Sequence, residues 1–138
     1  MRKQIIGLIG AGFLALAIAG CSNDKTKAAQ GAAADWLKLV DSGKYAQSWE
    51  QSAAVMKTSI AEEQWQEILQ TNRAPLGALV SRKLTSAEYK SDLPGAPAGQ
   101  YVVLEYTSSF EHKNSAIETA TPTLDKDGRW RVSVYFIK

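Results

Sequence analysis

The spacing of the apolar residues changes once along this chain, at Pro75 and Gly77. Before these residues the apolar side chains recur every three or four positions, as they do along one face of an α-helix. After them the apolar residues mostly alternate with polar ones, which is typical of β-strands with one buried face. Pro75 lacks an amide donor and disfavours a helical conformation at the preceding residue, so a helix should end or kink here. The sequence therefore predicts an α+β fold with its helices first.

Three helices are predicted before this boundary. The first ends near Gly43, a residue suited to a helix C-terminus, and the second covers residues 45–54. The third begins at a capping box formed by Ser59 and Glu62. The residues expected on the buried faces are Ala33, Trp36, Leu37 and Val40 of the first helix and Ala61, Trp65, Ile68, Leu69 and Asn72 of the third. Asp35, Lys38 and Asp41 are expected off the buried stripe of the first helix.

Four strands are predicted after the boundary, over residues 79–90, 101–112, 116–124 and 130–138. Pro122 marks an edge, an end or a bulge of the third strand. Residues 125–128, Asp-Lys-Asp-Gly, are typical of a hairpin turn. Shared faces are expected for Val102, Leu104, Tyr106, Ser108 and Phe110 in the second strand, and for Trp130, Val132, Val134 and Phe136 in the fourth. We therefore expect a single α+β domain over residues 32–138, with three helices packed on a curved four-stranded antiparallel sheet.

The N-terminus has the pattern of a secretory signal. Arg2 and Lys3 precede residues 5–20, which contain no charged side chain. A helix of this length spans roughly 24 Å, less than the ~30 Å hydrocarbon core of a bilayer. We therefore expect residues 1–20 to be a signal peptide.

Ile-Ala-Gly-Cys at residues 18–21 resembles the bacterial lipobox. The resemblance implies that Cys21 receives a diacylglycerol, that cleavage follows Gly20, and that the new amine of Cys21 is acylated. Two or three acyl chains make a durable membrane anchor. Ser22, where aspartate would favour the inner membrane, implies an outer-membrane location facing the periplasm. The alternative is an uncleaved anchor helix with an incidental cysteine.

Residues 21–31 are then expected to be a lipidated cysteine and a flexible tether, since residues 22–31 are polar and weakly structured by pattern. Without Arg2 and Lys3, the 16 basic residues of the chain fall to the number of acidic ones, 14. A neutral domain lacks the basic surface of a nucleic-acid binder. One cysteine and one histidine also exclude the usual zinc clusters, and no phosphate or dinucleotide motif is present, so no cofactor or metal is expected.

The candidate pocket consists of Trp65, Arg73, Tyr106 and Glu118. A carboxylate in an apolar pocket can act as a general base, and Glu67, Glu105 and Glu118 are candidates. Arg73 could pair with a carboxylate such as Glu118, bind an acidic ligand, or interact with the helix dipole.

The alternative, which we favour, is that these carboxylates lie at the surface of a neutral domain. The four tryptophans line either a pocket for an apolar ligand or lipid tail, or the core, and we favour the core. His112, the single histidine, is expected to be a solvated turn residue rather than part of a triad.

The mature chain resembles a bacterial family catalogued as domain of unknown function 4019. The matching stretches are ADWL at 34–37, VDSG at 40–43, SWE at 48–50, EQW at 63–65, RAPLGALVSR at 73–82, LPGAP at 93–97, YVVL at 101–104, ET at 118–119 and GRWRV at 128–132. The helix order and the final hairpin also look like the nuclear transport factor 2-like architecture, a cone whose sheet wraps a helix. That architecture hosts isomerases, dehydratases, binding modules and inert domains, so it implies no single function.

These observations predict a non-catalytic binding or assembly module of the cell envelope, anchored by lipid at the periplasmic face of a membrane. Its partner would be an envelope protein or a small ligand. The alternative is a small-molecule isomerase or hydrolase that uses a carboxylate in the cone. A homodimer formed through the sheet face that carries Tyr101 and Val103 is a third hypothesis.

Overall fold

The computed structural model describes residues 19–138. Over these residues the elements are α1 (Ala19–Asp41), α2 (Tyr45–Glu50), α3 (Ala54–Ser59), α4 (Glu62–Asn72), a short 3₁₀ turn (Ala74–Leu76), β1 (Leu79–Lys90), β2 (Tyr101–Phe110), β3 (Lys113–Leu124) and β4 (Trp130–Ile137). The strands form one antiparallel sheet in the order β1-β2-β3-β4. The predicted α+β class, with helices before a curved, unclosed four-stranded sheet, is confirmed.

Helix α1 begins earlier than the sequence pattern predicts. Residues 22–31, expected to form a weakly structured tether, are helical. Ala29 and Ala33 are fully buried against the rest of the core, and the ammonium of Lys25 lies 5.3 Å from the ring centre of Tyr89. Alanine has the highest helix propensity, and its small side chain lets the helix lie close to its neighbours. Residues 1–18 and the Cys21 side chain, on which the signal and lipidation predictions depend, lie outside the described part.

Helix α1 ends as predicted, in a Schellman motif around Gly43. The backbone N–H of Gly43 donates to the carbonyl of Val40 at 3.1 Å, and that of Lys44 donates to Leu39 at 2.9 Å. Gly43 has a φ of +73°, a left-handed conformation that glycine adopts without steric cost. The turn directs the chain back across the end of α1 into α2.

The second helix, predicted over residues 45–54, ends early: α2 stops at Glu50, residues 51–53 are not helical, and a further short helix, α3, begins at Ala54. The backbone N–H of Ala53 donates to the carbonyl of Val132 in β4 at 2.8 Å, and Ala53 is fully buried. A helical residue 53 would give this N–H to its own helix instead. The contact with the edge of the sheet therefore ends the predicted helix early and separates α2 from α3.

Helix α4 does not begin at the predicted capping box of Ser59 and Glu62. Ser59 is the last residue of α3, and its hydroxyl donates to the carbonyl of Val55 at 2.6 Å. Ala61 is the N-cap of α4, and its backbone N–H donates to the Gln64 side chain at 3.4 Å. Because Ser59 belongs to α3, the N-cap of α4 is Ala61, two residues after the predicted one. Ile68, expected on the inner face of α4, is 41% exposed.

The core lies between α1, α4 and the inner face of the sheet. Strand β2 has the predicted alternation, since all five residues expected on its inner face are buried. Three of them, Val102, Leu104 and Tyr106, belong to the same core as the buried stripe of α1 and the two buried residues of α4. The main core residues are Ala29, Ala33, Trp36, Leu37, Val40, Met56, Trp65, Leu69, Val102, Leu104, Tyr106, Ala120, Val132 and Tyr135.

Strand β4 departs from its predicted alternation. Its register against β3 shifts at Pro122, which faces Val132, whereas the neighbouring Thr121 faces Val134. Ser133 is therefore an extra residue, so the faces of the residues after it are exchanged. Val134 and Phe136, predicted to share a face with Val132, are 45% and 42% exposed, whereas Val132 and Tyr135 are buried. Pro122 thus marks a bulge, one of the predicted alternatives.

Candidate functional site

The four strands together place a polar cluster on the inner, otherwise apolar face of the sheet. Each strand contributes one residue: Arg82 from β1, Ser108 from β2, Glu118 from β3 and Tyr135 from β4. Asp41 and Arg73 complete this buried cluster from the ends of α1 and α4.

Glu118 is the centre of the buried cluster and is fully buried. Its Oε1 accepts hydrogen bonds from Arg82 Nε at 2.7 Å and from Ser108 Oγ at 2.5 Å. Its Oε2 accepts from Arg82 Nη2 at 3.0 Å and from the Tyr135 hydroxyl. Burying a carboxylate requires a compensating charge and hydrogen bonds to both oxygens, and Glu118 has both. Neither oxygen is left without a donor.

Asp41 supplies the second carboxylate of the cluster, and it binds both Arg82 and Arg73. It accepts hydrogen bonds from Arg82 Nη1 at 2.8 Å and Nη2 at 3.1 Å, and from Arg73 Nη2 at 3.2 Å. Two carboxylates therefore face two guanidinium groups. Burial alone would lower the pKa of Arg82, but the hydrogen bonds to Asp41 and Glu118, together with their negative charge, raise it above its ordinary value.

Arg73 is held where α4 gives way to the 3₁₀ turn. Its Nη1 donates to the carbonyl of Gly77 at 2.6 Å, and its guanidinium lies 4.4 Å from the ring centre of Phe110. It is only 3% exposed, and its Nε has no hydrogen-bond partner in the described part of the chain. Of the roles considered from the sequence, Arg73 pairs with a carboxylate, but with Asp41 rather than Glu118.

Two tyrosines of the inner face have perturbed acidity. Burial raises the pKa of Tyr106 to about 12, against a partly opposing effect of the Arg82 charge. Burial and then the negative charge of Glu118 raise the pKa of Tyr135 well above its ordinary value. Both phenols therefore remain protonated over the physiological pH range.

The structure brings three of the four candidate pocket residues to the region of this cluster. Tyr106 and Glu118 are partners in the β2–β3 register, and Arg73 reaches the cluster through Asp41. Trp65 lies in the core instead, 4% exposed, with its indole N–H donating to Ser48 Oγ at 3.0 Å. Trp36 lies between its ring and that of Tyr135, with its ring centre 6.0 Å from that of Trp65 and 5.2 Å from that of Tyr135.

The other titratable candidates lie at the surface. Glu67 and Glu105 are exposed, the latter on the outer face of β2. His112 is exposed in the β2–β3 turn, 3.8 Å from Glu111. Over residues 19–138, no group of three or more histidine, cysteine, aspartate or glutamate residues is arranged to hold a metal ion.

The sequence did not lead us to predict four members of the buried cluster: Asp41, Arg82, Ser108 and Tyr135. For two of them, Asp41 and Ser108, the sequence pattern could have indicated a buried polar side chain. Asp41 follows Leu37 by four positions and so lies on the same side of α1, although we expected it off the buried stripe. Ser108 is a polar residue on the predicted apolar face of β2, where a buried hydroxyl needs a partner. Tyr135 carried no such signal because the β4 bulge reverses its face.

A separate cavity of about 350 Å³ lies at the β4 edge, beside Trp65 and Tyr135. Its other walls come from α3, the start of α4 and the loop between β1 and β2. Residues that line it include Val55, Met56, Ile60, Leu93, Ala96, Pro97, Tyr101 and Val134. The same loop covers Tyr101, which is 3% exposed and donates its hydroxyl to the carbonyl of Pro97 at 2.5 Å. Tyr101 is therefore buried rather than exposed on the sheet face, and the homodimer stays a prediction.

The described residues thus define a class of protein: a small α+β domain whose helices cover one face of a four-stranded antiparallel meander and enclose a charge-balanced polar cluster. The chain belongs to the family described as protein of unknown function DUF4019, whose family model matches residues 32–135. No curated protein and no solved structure matches the chain significantly. None of the helices within residues 19–138 is long and apolar enough to cross a bilayer.

Proposed function

We propose that this protein is a lipid-anchored, non-catalytic binding or assembly module of the cell envelope. The signal pattern and the lipobox-like residues 18–21 support processing at Cys21, with acyl chains holding the domain at the outer membrane and facing the periplasm. The domain would then act on an envelope protein or a small ligand within reach of the membrane surface. We also propose that its architecture is nuclear transport factor 2-like, because the helices precede the sheet and α1 contacts all four strands.

The state of Glu118 is the observation that favours a module over the alternative, an isomerase or hydrolase. A general base must reach the substrate proton and must be free to accept it. Glu118 is fully buried, paired with Arg82, and hydrogen-bonded at both oxygens. The cluster is therefore better suited to hold the four strands and two helix ends in one arrangement than to transfer a proton.

The anchor is tested by substitution of Cys21→Ala in cells with two membranes. We expect the unchanged protein to partition with membranes and to have the intact mass of a chain that begins at an acylated Cys21. The variant should move to a soluble or unprocessed pool, because the acyl chains have no thiol to join. Ser22→Ala is the matched control, since it leaves the cysteine and the preceding residues intact. A full-length unchanged chain that retains Met1 and a free thiol would refute the proposal.

A further inference from the structure

We infer that the apolar cavity between α3, α4, the β1–β2 loop and the edge of β4 binds a small, neutral, mainly aliphatic molecule. This inference deepens the proposed function and rests on it, because it names the ligand class of the binding module. The cavity is distinct from the buried cluster around Glu118, and among the described residues Tyr135 is the one that belongs to both.

The cavity has a rigid floor and an accessible rim. Met56, Trp65, Tyr101 and Tyr135 form the floor and are each at most 8% exposed. At the rim, Val134 is 45% exposed. The Tyr135 hydroxyl is bound to Glu118, and the indole N–H of Trp65 to Ser48, so both rings are fixed without a ligand. A preformed floor of this kind reduces the ordering cost of binding.

The chemistry of the walls selects against a charged ligand. Among the described residues that line the cavity, none carries a charged side chain. The hydroxyls of Tyr101 and Tyr135 are donated to Pro97 and Glu118, so their rings rather than their polar ends are available to a ligand. The hydroxyls of Ser59 and Ser133 donate to the carbonyls of Val55 and Thr121 but can each still accept a hydrogen bond. A neutral aliphatic chain with one hydroxyl satisfies this arrangement, whereas a carboxylate would lose its hydration without compensation.

The volume indicates how large a ligand the cavity can enclose. A volume of about 350 Å³ lies at the lower end of the range of small-molecule sites, roughly 300–1,000 Å³. At ~30 Å³ per water molecule it corresponds to about a dozen waters. This suits a short-chain molecule rather than the full acyl chain of a membrane phospholipid.

The experiment uses the full chain, purified from membranes and reconstituted in phosphatidylcholine nanodiscs. The probe is an octanol derivative that carries a photoreactive diazirine, and the labelled residues are mapped by peptide mass spectrometry. We expect labelling of floor residues such as Met56 and Trp65, and loss of that labelling with excess octanol but not with excess octanoate. The two competitors have the same chain length and differ in charge.

The matched variants are Ala96→Trp and Ala98→Trp, which lie on the same loop. Ala96 lines the cavity and is half-buried, whereas Ala98 is exposed and does not line it. We expect Ala96→Trp to abolish labelling of the floor and Ala98→Trp to leave it unchanged, with both variants unfolding at similar urea concentrations.

Equal labelling of the two variants, or equal competition by octanoate, would overturn the inference. So would protection of the floor in native membranes that disappears in nanodiscs, because a partner protein would then occupy the cavity. The intact mass of the same sample shows whether Cys21 is acylated, so the lipid anchor and the ligand site are tested separately. An acylated chain with an unlabelled floor refutes the ligand site alone, and an unprocessed chain with a labelled floor refutes the anchored location alone.

Discussion

At the scale of single residues, the buried cluster around Glu118 is the most consequential feature of the domain. Two negative and two positive side chains are balanced, and Glu118 holds donors from three strands. Such a cluster need not make the fold more stable than apolar packing would, because removing four charges from water is costly. Losing one charged member is expected to destabilise the fold, because the charges that remain buried are then no longer balanced.

Glu118→Gln tests this balance. The amide keeps the shape of the side chain but removes its charge, which leaves Arg82 with Asp41 as its single charged partner. We expect the free energy of unfolding in urea to fall by about 3–5 kcal/mol. Glu105→Gln is the matched control on the exposed face of the adjacent strand, and it should change stability by less than about 0.5 kcal/mol. Equal effects of the two substitutions would contradict the central role of Glu118.

At the scale of secondary-structure elements, two local backbone features determine where side chains point. The Schellman motif at Gly43 ends α1 directly after Asp41, which places that carboxylate beside Arg73 and Arg82. The bulge at Ser133 turns Tyr135 inward, where its hydroxyl reaches Glu118. Each feature is local, yet each supplies one contact of the buried cluster.

Gly31 lies within α1 and Gly43 follows its end, and we expect opposite effects on stability when each is changed to alanine. Gly43→Ala should destabilise the protein by about 1–2 kcal/mol, because its φ of +73° is unfavourable for a residue with a Cβ. Gly31→Ala should stabilise it by about 0.5–1 kcal/mol, since Gly31 is helical and a Cβ there would meet nothing within 4 Å. Urea unfolding measures both. No gain from Gly31→Ala would indicate that residues 22–31 are not helical in solution, as the tether prediction proposed.

At the scale of the whole molecule, the inner face of the sheet couples the stability of the domain to pH through its tyrosines. Burial raises the pKa of Tyr106 to about 12 and that of Tyr135 further, whereas an unfolded tyrosine titrates near 10. The native state therefore holds its phenolic protons at pH values where the unfolded chain loses them. Linkage then requires that stability decrease as pH rises through this range.

The free energy of unfolding should accordingly be insensitive to these two groups below pH 10 and fall steadily between pH 10 and 12. Tyr106→Phe removes one of the two protons, so its decline should be shallower than that of the unchanged protein. Urea unfolding at closely spaced pH values provides the measurement. Parallel curves for the two proteins would show that Tyr106 does not titrate differently in the native and unfolded states.

Much of this fold can be predicted because the relevant information is local. The period of the apolar residues distinguishes helix from strand, Gly43 ends α1, and alternation assigns the inner face of β2. These features depend on neighbours within a few positions. The partners of Glu118 could not be assigned in this way, because Arg82 is 36 positions away from it and Asp41 is 41 positions away from Arg82.

The sequence by itself determined the order of helices and strands, the ends imposed by glycine and proline, and the side of β2 that is buried. The tertiary structure decided that α2 and α3 are separate, that Tyr135 points inward, and that Asp41, Arg73, Arg82 and Glu118 meet. The reason is that backbone conformation follows from steric effects between near neighbours. The pairing of buried charges and the separation of α2 from α3 by a strand edge instead depend on hydrogen bonds between segments that are distant in the sequence.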